Sequence, residues 1–320
     1  MSLMFDEAPD LSDLLERLSD DDAEVRAVAV MDLREIDDED AIPLAVKAVF
    51  DSDAGVRVEA ARVMDEFTGA AVAEALVVAL ADSDKAVREA AAEVLAENRN
   101  DDGGGVFLEA VKSDDAFVKA SSLRALRPLR KPEAKAVALD NLEHPDAAVR
   151  REAVGVLAYL KTDDVLLALM NAACHDADEQ VRRVAMGSLI FSKTEKAAAT
   201  LITGLRDENW QVREEAAFVI GKIGQASALD ALIDAMNDEY WQVRVKTAAS
   251  LGKLKDPAAV DVLGQALSYN ISNLRKEAAS ALGQIGSENA LPFLKAATDD
   301  VDPDVRKVVQ WAIEQINTNQ

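Results

Sequence analysis

The chain has 320 residues, of which 59 are acidic and 35 basic, and its formal net charge is −24. Because phosphate binding depends on Lys and Arg, this balance argues against nucleic acids and anionic membrane surfaces as partners. A single cysteine excludes an intramolecular disulfide. The acidic N-terminus shows no secretion signal, and no uncharged apolar stretch reaches the roughly 18 residues of a membrane span. These features predict a soluble, cytoplasmic protein.

An internal repeat organises the whole sequence. An aliphatic residue followed by a basic residue recurs every 31 residues, with one interval of 32 between Val149 and Val181. Because only 35 of the 320 residues are basic, chance does not explain a basic residue in all ten copies. The ten pairs begin at Val25, Val56, Val87, Val118, Val149, Val181, Val212, Val243, Leu274 and Val305.

Each repeat has the pattern of two helices. Counted from the aliphatic residue, position +4 is small in nearly every copy and position +8 is large and apolar in all ten. Positions 0, +4 and +8 share one face of a helix, so each copy contains an amphipathic helix. Asp stands three residues before most of the pairs, where it can cap the helix. A shorter apolar helix precedes this cap, so each repeat reads as helix, Asp-rich turn, helix.

One helix pair cannot bury its apolar face alone, so the pairs must stack. The sequence therefore predicts a single all-α domain, a right-handed α-solenoid of about ten helix pairs. The motif VREEAAFVIGKIG (212–224) and the two copies after it resemble HEAT-like repeats, and more narrowly the variant found in phycobilin lyase subunits, across residues 11–316. The predicted repeats are 9–37, 38–68, 69–100, 101–130, 131–161, 162–193, 194–224, 225–255, 256–286 and 287–318.

The resemblance implies a role for two columns of charged residues. In HEAT repeats, an arginine column and an aspartate column commonly form a ladder between neighbouring repeats. Here the arginines follow the aliphatic residue of each pair, as Arg26 does. We favour the ladder because each arginine has a carboxylate nearby; a row of arginines that binds anions is the alternative. The aspartates are Asp20, Asp51, Asp82, Asp176, Asp207, Asp238 and Asp300.

Two tryptophans depart from the repeat at equivalent positions. Trp210 and Trp241 each stand two residues before an aliphatic–basic pair, and Tyr240 and Tyr269 lie on the same edge of the turns. Large rings beside a floor of small residues indicate a recognition groove. The alternative is that the rings pack on the preceding helix and the glycines let helices approach closely. The small residues are Ala217, Ala248, Ala279, Gly221, Gly252 and Gly283.

The two histidines and the cysteine lie in neighbouring turns of the predicted fold. His144 belongs to the fifth repeat, and Cys174 and His175 belong to the sixth. To share a metal ion, two turns about 10 Å apart would both have to reach inward, and three soft ligands are too few for a closed site. We therefore predict no metal site, with these residues as the weaker alternative. Neither histidine precedes Glu, so the chemistry of HEAT-fold di-iron hydroxylases is not expected.

Charge and chain-breaking residues distinguish two further regions. Residues 1–100 hold 26 acidic and 9 basic side chains. This pattern is typical of a solvated face, and docking of a basic partner is the alternative. The fourth repeat contains Gly103–Gly105, Pro128 and Pro132, which weaken its helices. The sequence therefore predicts a flexible joint within residues 98–135.

No catalytic arrangement is recognisable in the sequence. We therefore predict a non-enzymatic scaffold or adaptor without a cofactor, which binds a protein partner along its concave face. The alternative, implied by the resemblance, is an accessory factor for cofactor attachment or assembly, with a bilin or a metal as cofactor. As an enzyme, the chain would then be a lyase-type subunit. Trp210, Trp241, Arg213 and Arg244 could supply the apolar slot and the basic groups that a bilin requires.

Overall fold

The structure is a computed structural model that describes residues 11–97, 103–192 and 194–318. Within these ranges the chain forms 20 α-helices, joined by turns and short 3-10 segments, and contains no β-strand. The predicted all-α fold of helix pairs is therefore confirmed. No helix in the described ranges is both long and apolar enough to cross a membrane. The chain divides into two compact halves, one ending at Leu160 and one beginning at Lys161.

The N-terminal half contains repeats 1–5, each with a first and a second helix. Its helices are α1 (Leu11–Arg17), α2 (Ala23–Met31), α3 (Asp38–Ala48), α4 (Ala54–Val63), α5 (Ala70–Leu80), α6 (Lys85–Glu97), α7 (Gly104–Ala110), α8 (Ala116–Leu126), α9 (Ala134–Asp140) and α10 (Ala147–Leu160). The second helices pack in chain order, α2 on α4, α4 on α6, α6 on α8 and α8 on α10. The apolar positions of the repeat meet in these contacts, and Val56, Ala60 and Met64 are fully buried there.

The C-terminal half contains repeats 6–10 and follows the same plan. Its helices are α11 (Leu166–His175), α12 (Glu179–Ser188), α13 (Glu195–Gly204), α14 (Trp210–Ile223), α15 (Leu229–Ala235), α16 (Trp241–Leu254), α17 (Val260–Ala266), α18 (Ser272–Ile285), α19 (Leu291–Ala296) and α20 (Pro303–Thr318). Helices α12, α14, α16, α18 and α20 pack in that order. The aliphatic residues that define the repeat, such as Val212 and Val243, are fully buried.

Most second helices begin at the predicted aspartate cap. In α4, Asp53 Oδ1 accepts hydrogen bonds from the backbone N–H groups of Gly55 and Val56, at 2.8 and 3.3 Å. These bonds satisfy donors that have no partner within the helix. Two adjacent helices lack this feature, because α16 and α18 follow Tyr240 and Ile271 and have no side-chain cap. The equivalent caps elsewhere are Asp22, Asp84, Asp115, Asp146, Asp178, Asn209 and Asp302.

The stripe of small residues lies inside the helix contacts. A Cβ atom on Gly221 would come within 2.7 Å of Ser250 Cα, and one on Gly252 within 2.8 Å of Ala281 Cα. Ala217 is completely buried in the same layer. Glycine is needed at these positions because the backbones of successive second helices approach so closely. The expected groove floor is therefore wrong, and the alternative of close helix approach is correct.

The predicted joint within residues 98–135 lies partly outside the described residues, because residues 98–102 are not described. In the remainder, Pro128 and Pro132 stand between α8 and α9, where no helix has to be interrupted. The division between the two halves of the chain comes later, after Leu160. Flexibility of the joint stays a prediction.

Candidate functional site

A ladder of arginine and aspartate side chains connects consecutive turns, as the resemblance implied. In each complete rung, Nε and Nη2 of an arginine donate to the two carboxylate oxygens of an aspartate 25 residues later, at 2.6–3.0 Å. Nη1 of the same arginine donates to a backbone carbonyl of its own turn, as Arg213 does to Asp207 at 2.8 Å. The complete rungs are Arg26–Asp51, Arg57–Asp82, Arg182–Asp207, Arg213–Asp238 and Arg275–Asp300.

Three of the rungs favour the ionised form of their aspartates. Hydrogen bonds from the paired arginines hold the pKa of Asp51, Asp82 and Asp300 below the ordinary value for an aspartate. Two parallel bonds from a guanidinium to a carboxylate belong to the stronger charge-assisted hydrogen bonds in proteins. The rungs therefore stabilise the stacking of one repeat on the next.

The ladder is interrupted at Arg244. The residue 25 positions later, where an aspartate would complete the rung, is Tyr269. The guanidinium lies over its ring, with Arg244 Cζ 4.4 Å from the ring centroid. The Nε atom of Arg244 is buried and has no hydrogen-bond partner in the described structure, and no carboxylate of the described ranges forms an ion pair with this side chain. Arg244 is therefore an arginine of the ladder column without its carboxylate.

The turn opposite Arg244 also lacks acidic residues altogether. Residues 269–273 read YNISN, whereas the equivalent five positions of every other repeat contain at least one Asp or Glu. Tyr269 replaces the ladder aspartate and Ile271 replaces the capping residue, so α18 begins without a side-chain cap. Loss of such a cap costs about 1 kcal/mol of stability. This turn thus departs from the repeat at both of its structural carboxylates.

Aromatic side chains cluster on the same edge. The ring of Trp210 stacks on that of Tyr240, with centroids 5.5 Å apart and planes 13° apart. Tyr240 is 39% exposed and Trp241 is 37% exposed. Trp210 and Tyr269 are half-buried. We call Trp210, Tyr240, Trp241, Arg244 and Tyr269 the aromatic turn surface, in which Tyr240 and Trp241 are exposed and the other three side chains are half-buried.

Arg213 has a different place from Arg244, although the sequence analysis grouped them. Its guanidinium forms the rung with Asp238 and is almost fully buried. Its Cζ atom lies 5.6 Å from the centroid of the Tyr240 ring. Arg213 therefore contacts the aromatic turn surface only through the Tyr240 ring, and its hydrogen-bonding groups are engaged within the ladder.

Buried polar atoms without partners occur close together in α16. Such atoms are nearly always hydrogen-bonded in folded proteins, yet Gln242 Oε1, Arg244 Nε and Thr247 Oγ1 have no partner in the described structure. Gln242 was not among the residues expected at the site. The available signal was a column of glutamines directly before the aliphatic residues, in which Gln180 donates to Gln211 at 3.2 Å. Gln242 is the next glutamine of this column, and its Oε1 has no such contact.

A lysine cluster around Phe218 was also missed. The Nζ atoms of Lys222, Lys246 and Lys253 lie 5.4, 5.7 and 5.8 Å from the centroid of the Phe218 ring. Burial, together with the charges of Lys222 and Lys246, lowers the pKa of Lys253. The three lysines come from two helices, so no single stretch of sequence reveals the cluster. The carboxylates of Glu215 and Glu277 interact electrostatically with the same lysines.

The histidines and the cysteine have local contacts. No group of three or more His, Cys, Asp or Glu residues in the described ranges is placed to hold a metal ion. His144, in the N-terminal half, occupies a ladder position, and its Nδ1 accepts a hydrogen bond from the Asp146 backbone N–H at 3.1 Å. In the C-terminal half, burial raises the pKa of Cys174. There, His175 Nδ1 lies 3.3 Å from the carbonyl oxygen of Asn171.

Stacked helix pairs and an Arg–Asp ladder between their turns define an α-helical repeat protein of the solenoid class. The family model for HEAT repeats matches residues 11–96, 73–145, 136–217, 166–244, 198–270 and 229–314. The chain belongs to the HEAT repeat family. This match concerns HEAT repeats in general and does not support the narrower lyase-type resemblance. No curated protein matches the sequence.

Solved structures with the same fold are similar to this chain at low sequence identity. YibA of E. coli is 18% identical with a TM-score of 0.63, over 83% of this chain and 98% of that one. Kap95p, in a structure with RanGDP, is 15% identical with a TM-score of 0.65, over 95% and 50%. Kap121p bound to Nup53p is 14% identical with a TM-score of 0.64, over 96% and 41%. The chain thus spans half or less of these two larger proteins, and the likenesses show the fold alone.

Proposed function

We propose that this protein is a non-enzymatic, cytoplasmic scaffold that binds a protein partner through the aromatic turn surface. The observation that carries the proposal is the stacked pair of Trp210 and Tyr240 beside the exposed ring of Trp241. Tryptophan and tyrosine are preferred anchors at protein interfaces, because they bury a large area at a low cost in side-chain entropy.

The repeat itself provides an internal control for this argument. Eight of the ten repeats fold without tryptophan at the position of Trp210 and Trp241, so the fold does not require these rings. Tyr240 and Ile271 stand where other repeats have a capping side chain, which removes about 1 kcal/mol of helix capping at each position. Two adjacent turns on one edge therefore lack the stabilisation that a helix cap provides. Such local departures are expected at functional sites.

The fold class supports a binding role by analogy. Kap95p appears in its structure with RanGDP, and Kap121p with Nup53p, so proteins of this fold hold protein partners. Analogy of fold does not identify a partner. The proposal extends to contacts along the concave face of the solenoid. A separate proposal is that the acidic residues 1–100 favour a partner with basic segments.

The proposal is tested by capturing partners from extracts of the source organism. Wild-type protein is compared with the Trp210→Ala/Trp241→Ala variant by quantitative mass spectrometry, and the affinity of each purified partner is then measured by calorimetry. Loss of two anchor residues costs about 2 kcal/mol or more, so we expect at least a 30-fold loss of affinity.

Trp311→Ala is the matched control, because Trp311 is 40% exposed on α20, outside the aromatic turn surface. We expect this variant to keep the partner and the double variant to keep its fold in a thermal melt. If the double variant unfolds, Trp241→Ala alone is used, since its ring is more exposed than that of Trp210. Equal affinity of the partner for wild type and Trp241→Ala would contradict the proposal.

Cofactor attachment has no specific observation in its favour. A bilin would need basic groups for its propionates, and Arg213 is already engaged by Asp238. We expect the purified protein to be colourless. Absorption spectra and metal analysis check this expectation, and a stoichiometric chromophore or metal would favour the accessory-factor alternative.

A further inference from the structure

We infer that Arg244 and Tyr269 form a receptor for an Asp or Glu side chain of the protein partner, whose carboxylate pairs with the guanidinium that has no ladder aspartate. The inference rests on the proposed function, because it assigns a partner chemistry to one part of the aromatic turn surface. Its tests are chosen so that the receptor and the docking surface can fail separately.

The neighbouring rungs show the geometry that Arg244 lacks. One repeat earlier, Arg213 donates from Nε and Nη2 to Asp238 at 2.6 and 3.0 Å. One repeat later, Arg275 makes the same two bonds to Asp300 at 2.7 and 2.8 Å. Arg244 stands between them in the same column and faces an aromatic ring instead. A carboxylate delivered by another molecule would complete the pattern that both neighbours already show.

Electrostatics favour an acid at this turn and disfavour it at the adjacent ones. A guanidinium stays charged, and a partly buried charge without a partner is costly. The five-residue turns beginning at Asp207 and Asp238 each carry two acidic residues, which repel an incoming carboxylate. Residues 269–273 carry none. A partner carboxylate therefore gains most at Arg244, although the whole chain has a net charge of −24.

The surrounding rings define the rest of the receptor. The Tyr269 ring covers one face of the guanidinium at 4.4 Å, which holds it in place by a cation–π contact. Trp241 lies three residues before Arg244 on α16, so the two side chains share one helix face. The exposed Trp241 ring can then pack against an apolar residue next to the partner's acid.

The first experiment needs no partner. The Nε–H resonances of the arginine side chains are followed by NMR while acetate is added, with chloride at equal ionic strength as control, and Arg244→Lys assigns the signal. We expect the Arg244 resonance to shift with acetate, whereas those of Arg213 and Arg275 stay fixed because their rungs are complete. An unresponsive Arg244, or an equal response of all three, overturns the inference.

Tyr269→Asp and Tyr269→Asn form the decisive pair of variants. Both remove the ring, but only aspartate supplies an internal carboxylate at the ladder position. We expect Tyr269→Asp to abolish the acetate response and Tyr269→Asn to keep it. With the captured partner, we expect Tyr269→Asp to bind at least tenfold more weakly than Tyr269→Asn, as one charged hydrogen-bonded pair is worth about 1.5–3 kcal/mol.

Three further results would distinguish a failure of the receptor from a failure of the docking surface. Loss of the partner in the tryptophan variants, with equal binding by Tyr269→Asp and Tyr269→Asn, leaves the docking surface standing and overturns the receptor. Binding that depends on the partner's free C-terminal carboxylate overturns the choice of an Asp or Glu side chain. Binding that is lost with Lys246→Ala and Lys253→Ala, but not with Tyr269→Asp, places the acid at the lysine cluster and also overturns the receptor.

Discussion

Two consecutive turns of the C-terminal half use the same position of the repeat in opposite ways. At Asp238 the side chain closes a rung with Arg213 and accepts a bond from the Tyr240 backbone N–H at 2.9 Å. In the next turn Tyr269 replaces this aspartate, and the guanidinium of Arg244 contacts the tyrosine ring instead of a carboxylate. The surrounding helices are alike, so the difference isolates what the carboxylate does. The first turn contributes a rung that stabilises the fold, and the second leaves a guanidinium without a carboxylate partner.

Acidification acts on three of the rungs at once, those of Asp51, Asp82 and Asp300, and has the largest expected effect. The pKa values of Asp51, Asp82 and Asp300 are lowered in the folded protein. Their contribution is therefore fully present above the ordinary aspartate pKa, near 4, and is lost as the pH falls through the lower folded values. We expect the free energy of unfolding to drop steeply below about pH 4.

Urea unfolding between pH 3 and pH 7 measures this dependence. Asp82→Asn lacks one such titration and should show a shallower decline over the acid range. A decline as steep as that of the wild type would mean that the rung does not stabilise the fold.

Removal of one rung carboxylate has the next largest effect. Asp238→Ala leaves the guanidinium of Arg213 buried without its partner, and breaking a buried pair from one side costs about 3 kcal/mol or more. Urea unfolding of the isolated variant measures the loss. Asp230→Ala, at an exposed position in α15, is the control and should change stability by less than about 0.5 kcal/mol. A similar small change in Asp238→Ala would show that the rung is energetically neutral.

Restoration of the missing rung should stabilise the protein. In Tyr269→Asp, the new carboxylate can pair with Arg244 as Asp238 pairs with Arg213, and we expect a gain of about 1.5 kcal/mol. The comparison with Tyr269→Asn in thermal and urea unfolding separates the charge from removal of the ring. Equal stability of the two variants would mean that Arg244 has no unmet need for a carboxylate.

Restoration of the helix cap is the smallest of these changes. Ile271→Asp provides α18 with the capping side chain that most second helices have, for a gain of about 1 kcal/mol. Ile271→Asn provides a cap without charge and should gain a similar amount. Hydrogen exchange of the first amides of α18 locates the effect, and unchanged protection there would contradict it.

The fold and part of the candidate site were predictable from the sequence. The 31-residue period, the buried position of Val212 and the capping role of Asp53 follow from helix geometry and hydrogen bonding alone. The sequence left the exposure of Trp241 open, because its place in the repeat does not show whether the ring packs on the preceding helix. The prediction failed for Gly221, because periodicity shows that a face is small and apolar but not whether a helix or solvent lies against it.

Other features needed coordinates because they join distant parts of the chain. The lysine cluster brings together Lys222 and Lys253 from two helices. The engagement of Arg213 by Asp238 separates it from Arg244, although the two arginines occupy equivalent positions. The sequence shows that Tyr269 interrupts the aspartate column. It does not show that Arg244 Nε is left without a hydrogen-bond partner, which required the structure.

The rung also makes the repeats interchangeable. Each complete rung joins residues 25 apart and the pattern recurs after 31, so the acceptor of one complete rung matches the donor of another. Excision of one whole period, residues 207–237, would bring Asp238 to the position that Asp207 holds relative to Arg182. A chain built in this way can grow or shrink by single modules while its joints remain compatible. Tyr269 removes the acceptor of one such rung, so an arginine placed 25 residues before it would lack a carboxylate partner after any duplication or deletion of a repeat.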